Sequence, residues 1–270
     1  MLRKVWNPFY DILDRLKTYR LDKEESPISI VTKTKEFIQL QDASNALIRH
    51  AKEAYTSQKQ FAENASHELQ TPIAIIINKL ELLLESENLK EDDANTIAQV
   101  INIADRLKKL NNSLLLLVKI ETKQFLDPKR VSINEITKEL LSNYQEFADF
   151  KSIEFNVVET DDLYVQMNTS LAEILISNLV KNAIFHNKND GEISIRISKH
   201  KFTIGNTGSA TALDAKTIFN RFEKDHSKSQ STGLGLAVCS AICSSYDINI
   251  TYQFENSEHH FIVDFKNCTS

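Results

Sequence analysis

Between about residue 31 and Pro72 nothing in the sequence stops a helix, and this stretch constrains the fold more than any other. Proline withholds the amide a helix needs, and glycine carries the largest backbone entropy cost. The whole chain holds only 5 Gly and 4 Pro, which disfavours a turn-rich all-β protein and favours long helices. A helix of this length exceeds what an ordinary globular domain uses, so coiled-coil or bundle packing is expected.

With 270 residues the chain has room for about two domains and a sizeable core. Apolar residues at 41% and charged residues at 26% point to globular order. A net charge of −5 and a pI near 5.9 lack the electrostatic footprint of a nucleic-acid binder. Cys239, Cys243 and Cys268 cannot by themselves make a disulfide framework or a four-ligand zinc site. Cys239 and Cys243, four apart on an apolar helical stretch, read as small core residues in a reducing compartment. No apolar run approaches the length of a membrane span. The opening MLRKVWNPFY sets basic residues beside Trp and Tyr, as on the cytoplasmic flank of a membrane helix. The expectation is a cytoplasmic portion of an inner-membrane protein, touching the membrane only through a segment absent from this chain.

Periodicity divides the chain further. Phe9, Ile12, Leu13 and Leu16 recur at helical spacing, LDKEESPIS breaks the pattern, and Phe37, Leu40, Ala43 and Leu47 resume it. The segments 61–84 and about 92–121 are both expected to be helical, joined by the acidic turn SENLKEDD. Phe61, Ala65, Leu69, Ile76, Leu80 and Leu83 form one stripe; Ile97, Val100, Ala104, Leu107, Asn111, Leu114 and Val118 form the other. Two such helices cannot bury both stripes alone, so the hairpin is expected to dimerise into a four-helix bundle. After Pro128 the reading is a helix at 132 to about 149, strand-like runs at 153–158 and 163–167, and an apolar helix at about 169–185. Strands EISIRIS and KFTIGN, a helix from about Gly233, and strands NITYQF and FIVDF follow. That order implies a two-layer α/β sandwich.

The chemistry begins at FAENASHELQTP, 61–72. At 100° per residue His67 falls opposite the mean direction of Ala65 and Leu69, so it is expected to face solvent. An exposed helical His is usually bland. Here Glu68 can accept a proton from the imidazole and free its other nitrogen as a nucleophile. Thr71, one turn on, places a hydroxyl on the same face. Pro72 removes the backbone bond to the Glu68 carbonyl; alone it reads as a tolerated kink.

SHELQTP resembles the phosphoacceptor box of sensor histidine kinases, with Gln70 where the family usually has a base. The resemblance implies that His67 is phosphorylated, that Glu68 is the base, and that Glu68 and Thr71 make the phosphatase motif. In SNLVKNAIFHN the residues Asn178, Asn182 and His186 follow at spacings of four along one helix face. Any one of them could be a plain surface position; three in register beside Ala183 look like a ligand-facing stripe. The run matches the N-box of the Bergerat ATP-binding fold, which implies that Asn182 ligates Mg²⁺ and Asn178 supports the phosphates. Phe185 stands where the family often has Lys.

IGNTGSA at 204–210 corresponds to the loop under the adenine, with Asn206 for the usual Asp and Ala210 for the second Gly. The Asn206 carbonyl can accept from the adenine amino group, and Gly208 permits close backbone approach. Alone the motif would be a turn. IFNRFEKD at 218–225 resembles the F-box: Phe219 and Phe222 would anchor a lid, and Lys224 stands where many relatives carry an Arg at the γ-phosphate. STGLGLAV at 231–238 resembles the second glycine box, which assigns Thr232, Gly233, Leu234, Gly235 and Leu236 to the phosphates. Amides at a helix start form an anion site.

Together these boxes place the chain near the sensor histidine kinases. The implied fold is α+β: 1–56 a HAMP-like or juxtamembrane helical linker, 57–126 a dimeric antiparallel helical-hairpin (four-helix bundle) domain for dimerisation and phosphotransfer, and 127–270 a two-layer α/β sandwich that binds ATP. The implied activity is autophosphorylation of His67 from ATP and Mg²⁺, then transfer to an Asp of a response-regulator receiver domain, with regulator phosphatase activity. The alternative is a kinase-impaired scaffold or phosphatase of the same fold, motivated by Gln70, Phe185, Asn206 and Ala210. An Hsp90-like or topoisomerase-like ATPase is disfavoured by the HELQTP box and the helical hairpin.

Overall fold

The computed structural model describes residues 2–19, 26–86, 89–125, 127–223 and 232–268, and the side chains of these except at 2–5, 59, 62, 63, 66 and 67. It divides into two compact units, Met1–His67 and Glu68–Ser270.

In the first unit, α1 (Leu2–Thr18) is followed by an extended segment and the first part of α2 (Lys35–Leu84). Trp6 packs edge-on against Phe9 and Phe37, and Ile12, Ile28 and Ser44 are buried. The extended segment is held by side chains of α2. Asn45 accepts from the Ile28 amide and donates to the Ile28 carbonyl, both at 2.9 Å, and Gln41 accepts from the Ile30 amide at 2.8 Å.

The second unit begins with the remainder of α2, which continues through Pro72, and then α3 (Glu91–Glu121). Gln70 donates to Asn112 Oδ1 at 2.7 Å, a side-chain bond between the two helices. Ile77 on α2 and Ala104, Asn111, Leu117 and Ile120 on α3 are buried. The sequence stripe is only partly covered: Leu69 is 51% exposed and Leu83 52%, with Phe61, Ile76, Val100 and Leu107 also open.

Beyond Pro128 come β1 (Lys129–Ser132), α4 (Ile133–Phe150), β2 (Glu154–Glu159), β3 (Tyr164–Met167), α5 (Thr169–Phe185), β4 (Glu192–Ile197), β5 (Lys201–Thr207), α6 (Gly235–Ser245), β6 (Asn249–Glu255) and β7 (Glu258–Asp264). A five-stranded sheet runs in the order β2-β4-β5-β7-β6, with β2 parallel to β4 and the other neighbours antiparallel. Its inward residues, among them Ile193, Ile195, Phe202, Ile204, Phe261 and Val263, are buried with the apolar sides of α4, α5 and α6. This is the expected two-layer sandwich. The end of α3 joins it: Leu117 and Ile120 belong to the same core, and Arg221 pairs with Glu121.

Capping explains the helix starts. Ser132 accepts from the Glu135 amide and Asn168 from the Leu171 amide. Three boundaries differ from the sequence reading. Strand β1 was not expected, because KRVS offers one apolar residue, Val131; it exists by pairing with β3. α6 starts at Gly235, since Gly233 has a φ of +68° that no α-helix accepts. β7 starts at Glu258, and its polar opening hides a buried His259. Cys239 and Cys243 are buried core residues as expected; burial pushes the Cys243 thiol up to about 12 and Cys239 well above its usual value. Among the described residues no helix is long and apolar enough to cross a membrane.

Asn134 ties α4 to the turn before β3. It accepts from the buried Leu163 amide at 2.9 Å and donates to the Asp161 carbonyl at 3.2 Å. Asn134→Ala leaves that amide unpaired and is expected to cost about 1–3 kcal/mol in urea denaturation. Asn134→Asp keeps the acceptor but sets a carboxylate against Glu159, to which Asn134 donates at 3.0 Å, so it should not restore the loss.

Candidate functional site

α5 separates its two kinds of residue by side. Leu171, Ala172, Leu175, Ile176, Leu179, Val180, Ala183 and Ile184 are buried, whereas Asn178, Asn182 and His186 lie half-buried along the other edge. The stripe read from the sequence is therefore present as a polar edge on a buried helix.

Each end of that edge meets a glycine. A Cβ on Gly235 would stand 3.7 Å from Asn178 Oδ1, so the start of α6 faces the first amide of the stripe. A Cβ on Gly208 would stand 3.0 Å from the His186 carbonyl, 3.0 Å from Asn206 Nδ2 and 3.1 Å from His259 Cδ2. Asn178 with Gly235, and the His186 carbonyl with Gly208 and Asn206, thus mark the two ends of one cradle floored by α5.

At the α6 end, no side chain of the N-cap position Leu234 satisfies the first amides of the helix. Unclaimed amides at a helix start favour an anion. Leu234 itself is fully buried, so its contribution to a ligand is restricted to backbone, while Thr232 and Leu236 are half-buried. The loop is stitched to its neighbour by the Phe222 amide, which donates to the Gly233 carbonyl at 2.9 Å. Of the two aromatics expected to anchor this region, Phe219 does so, packing edge-on against Phe261 at 6.4 Å. Phe222 is corrected: its ring is 53% exposed, because its φ of +64° turns the side chain out while the backbone makes the contact.

At the other end, Asn206 is only 2% exposed, set in β5 between Ile193 of β4 and His259 of β7. Its Nδ2 reaches the Thr207 carbonyl at 3.4 Å, a weak bond. Thr207 is held in turn: its hydroxyl accepts from the Glu192 amide at 2.9 Å and donates to Asn187 Oδ1 at 2.8 Å. Asn187 also donates to the Glu192 carbonyl at 3.1 Å. Gly191 sits where a Cβ would collide with Asn187 and come within 2.7 Å of the Thr207 hydroxyl. Asn187, Thr207, Tyr252 and His259 support the cradle and were not singled out from the sequence. Asn187 had a signal in its adjacency to His186; Tyr252 and His259 meet only through strand pairing.

On α2, Glu68 and Thr71 are exposed. The side chain of His67 and all of Lys224 lie outside the described residues. The amide of Gln70, in the position of the family's base, is committed to Asn112. Among the described residues no cluster of three His, Cys, Asp or Glu could hold a metal ion. A cation here would rely on the Asn182 amide oxygen and on oxygens of a bound anion, a donor set that suits Mg²⁺, which keeps few protein ligands.

Two family models match the chain: the His Kinase A (phospho-acceptor) domain over residues 57–123, and the histidine kinase-, DNA gyrase B-, and HSP90-like ATPase over residues 167–267. Among curated proteins the chain is similar to the heme sensor protein HssS of Staphylococcus epidermidis (strain ATCC 12228), 29% identical over 237 residues, 86% of this chain and 52% of that protein. It is similar also to the sensor histidine kinase RppB of Synechocystis sp., 29% identical over 213 residues, 74% of this chain and 47% of that protein. The chain spans about half the length of these curated relatives. Among solved structures, full-length ShkA in complex with AMPPNP aligns with a TM-score of 0.64 at 18% identity, over 78% of this chain and 46% of that one. The histidine kinase AdeS of Acinetobacter baumannii aligns with a TM-score of 0.51 at 21% identity, over 74% and 96%. These two likenesses concern the fold.

The left-handed backbone at Gly233 yields a direct test. A Cβ there would lie 2.9 Å from the Phe222 carbonyl carbon and 3.0 Å from the Glu223 carbonyl oxygen. Gly233→Ala is expected to lose about 1–2 kcal/mol of stability in denaturant titration. It should also weaken nucleotide-analogue binding by roughly 10-fold or more, because the loop must shift.

Proposed function

The chain belongs to the sensor histidine kinases of two-component systems, and from that premise we propose how its own residues carry the reaction. The proposal divides it into 1–56 as a linker, 57–126 as the dimerisation and phosphotransfer hairpin, and 127–270 as the nucleotide-binding domain. ATP binds along α5, its phosphates on the backbone of Thr232, Gly233, Leu234, Gly235 and Leu236 and beside Asn178, its base against Asn206, Gly208 and the end of the helix at His186. Bound Mg²⁺, held through the Asn182 amide oxygen, supplies neutralising charge at the triphosphate. Lys224 contributes a further positive charge near the γ-phosphate.

Glu68 takes the proton from one ring nitrogen of His67, and the other nitrogen attacks the γ-phosphorus. ADP leaves as the phosphorus–nitrogen bond forms. The phosphoryl group then passes to an aspartate carboxylate of a response-regulator receiver domain. Positioning and charge neutralisation carry most of such a transfer. A second copy of the chain covers the open apolar faces of α2 and α3, where Leu69, Ile76, Leu83 and Leu107 are exposed in one copy.

The observation that supports this reading best is the convergence on one edge of α5: Asn178 against Gly235, and His186 against Gly208. Nothing in a simple α/β core requires a side-chain amide and two glycines to meet along one edge of a buried helix. The test is incubation with γ-labelled ATP and Mg²⁺. Label on the chain should be lost in acid, as phosphohistidine is, and His67→Gln should abolish it while ATP still binds. Acid-stable label, or label that survives the substitution, contradicts the assignment.

Thr71 tests whether the enzyme also removes phosphate from its regulator. Its hydroxyl lies one turn from His67 on α2, where it can hold a water in line with an aspartyl phosphate. Thr71→Ala is expected to slow regulator dephosphorylation by about 10- to 1000-fold and to affect autophosphorylation far less. Equal loss of both activities in parallel assays counts against a phosphatase role.

A further inference from the structure

The loop that leaves β5 at Thr207 is tied at both ends to a buried pair on the hairpin of β6 and β7. His259 Nε2 lies 2.9 Å from the Ser209 carbonyl oxygen, His259 Nδ1 lies 2.8 Å from Tyr252 Oη, and Tyr252 Oη accepts from the Leu213 amide at 3.0 Å. The direction of every proton follows from the two ends. A carbonyl only accepts, so His259 Nε2 carries the hydrogen and donates it to Ser209. In the neutral ring Nδ1 is then an acceptor, and the Tyr252 hydroxyl donates to it while taking the Leu213 amide on its own oxygen. The relay is continuous from Leu213 through Tyr252 and His259 to Ser209.

The pair is rigid. His259 is 4% exposed and Tyr252 8%; the rings stack at 5.9 Å, and Phe254 and Phe261 pack against them. His259 is also the cross-strand partner of Asn206, and its ring edge lies against Gly208. One residue thus pairs through its backbone with Asn206 and sets its ring beside Gly208 and Ser209. Among the described residues, the glycine loop before α6 makes none of these contacts.

We propose that His259 and Tyr252 are positioning residues for the base of the bound nucleotide, an inference that rests on the nucleotide reading of the cradle. They act through the loop and do not touch the phosphates. Their loss should therefore weaken ligands that carry a base and spare a ligand that is phosphate alone. A merely structural pair would weaken both together.

The experiment compares affinities of the full chain for ATP and for inorganic tripolyphosphate, each with Mg²⁺. Tyr252→Phe keeps the ring packing and removes only the hydroxyl; it is expected to raise the Kd for ATP about 3- to 10-fold, the range that one net hydrogen bond spans, with the Kd for tripolyphosphate unchanged. His259→Ala should lose more ATP affinity, and His259→Gln, which keeps a donor toward Ser209, should recover part of it. An unchanged ATP affinity in Tyr252→Phe, or equal weakening of both ligands, overturns the proposal. An unsubstituted chain that binds no ATP overturns the nucleotide reading, and this inference with it. Nitrogen-15 correlation spectra of the unsubstituted protein give a second check: the neutral ring of His259 should carry its proton on Nε2, and a proton on Nδ1 instead overturns the relay.

Discussion

The site depends on the burial of α5. Eight of its residues are buried against the sheet, α4 and α6, and each Leu, Ile or Val among them contributes about 1.5–3 kcal/mol. That burial fixes the rotation of the helix about its axis. Once the rotation is fixed, residues four apart on the remaining edge have one place to go, and Asn178, Asn182 and His186 line up there. A one-residue change in phase would bury the amides and expose leucines. The polar edge is held by the apolar face behind it.

The same division appears in the hairpin. α3 ends inside the core of the nucleotide domain through Leu117 and Ile120, while its earlier turns expose Val100, Ile103 and Leu107. One end of the helix is packed within the chain; the other exposes its apolar side chains. The Arg221–Glu121 pair beside this junction is about half exposed on both sides, so it contributes direction to the contact more than stability. Packing of Leu117 and Ile120 sets the attachment.

Most of the architecture was legible because it rests on periods. α5 could be read to its ends, since an apolar run with Asn168 before it and a polar break after it satisfies both the core and the cap. The stripe of Asn178, Asn182 and His186 was legible for the same reason, as was a glycine-opened helix, though its start was read at Gly233 and lies at Gly235. Strand β1 was not, because four residues with one apolar side chain carry no period, and its existence depends on β3, more than thirty residues later. The support beneath Asn206 was equally hidden. His259 reads as a polar residue in a polar opening, and only the register of β5, β6 and β7 brings it to Tyr252 and Ser209. Phe222 failed for a local reason: an aromatic in an F-box pattern reads as an anchor, but a left-handed backbone turns it outward.

The central claim is that the edge of α5 holds a nucleotide through the amide of Asn182 and a divalent cation. The most direct measurement is the Mg²⁺ dependence of ATP affinity, by calorimetric titration with and without the cation, for the chain and for Asn182→Asp. The account predicts that Mg²⁺ tightens ATP binding to the chain and that the substitution weakens or deranges this response, since a carboxylate both alters the ligand and repels the triphosphate. An Asn182→Asp variant with the same Mg²⁺-dependent affinity as the unsubstituted chain would contradict it.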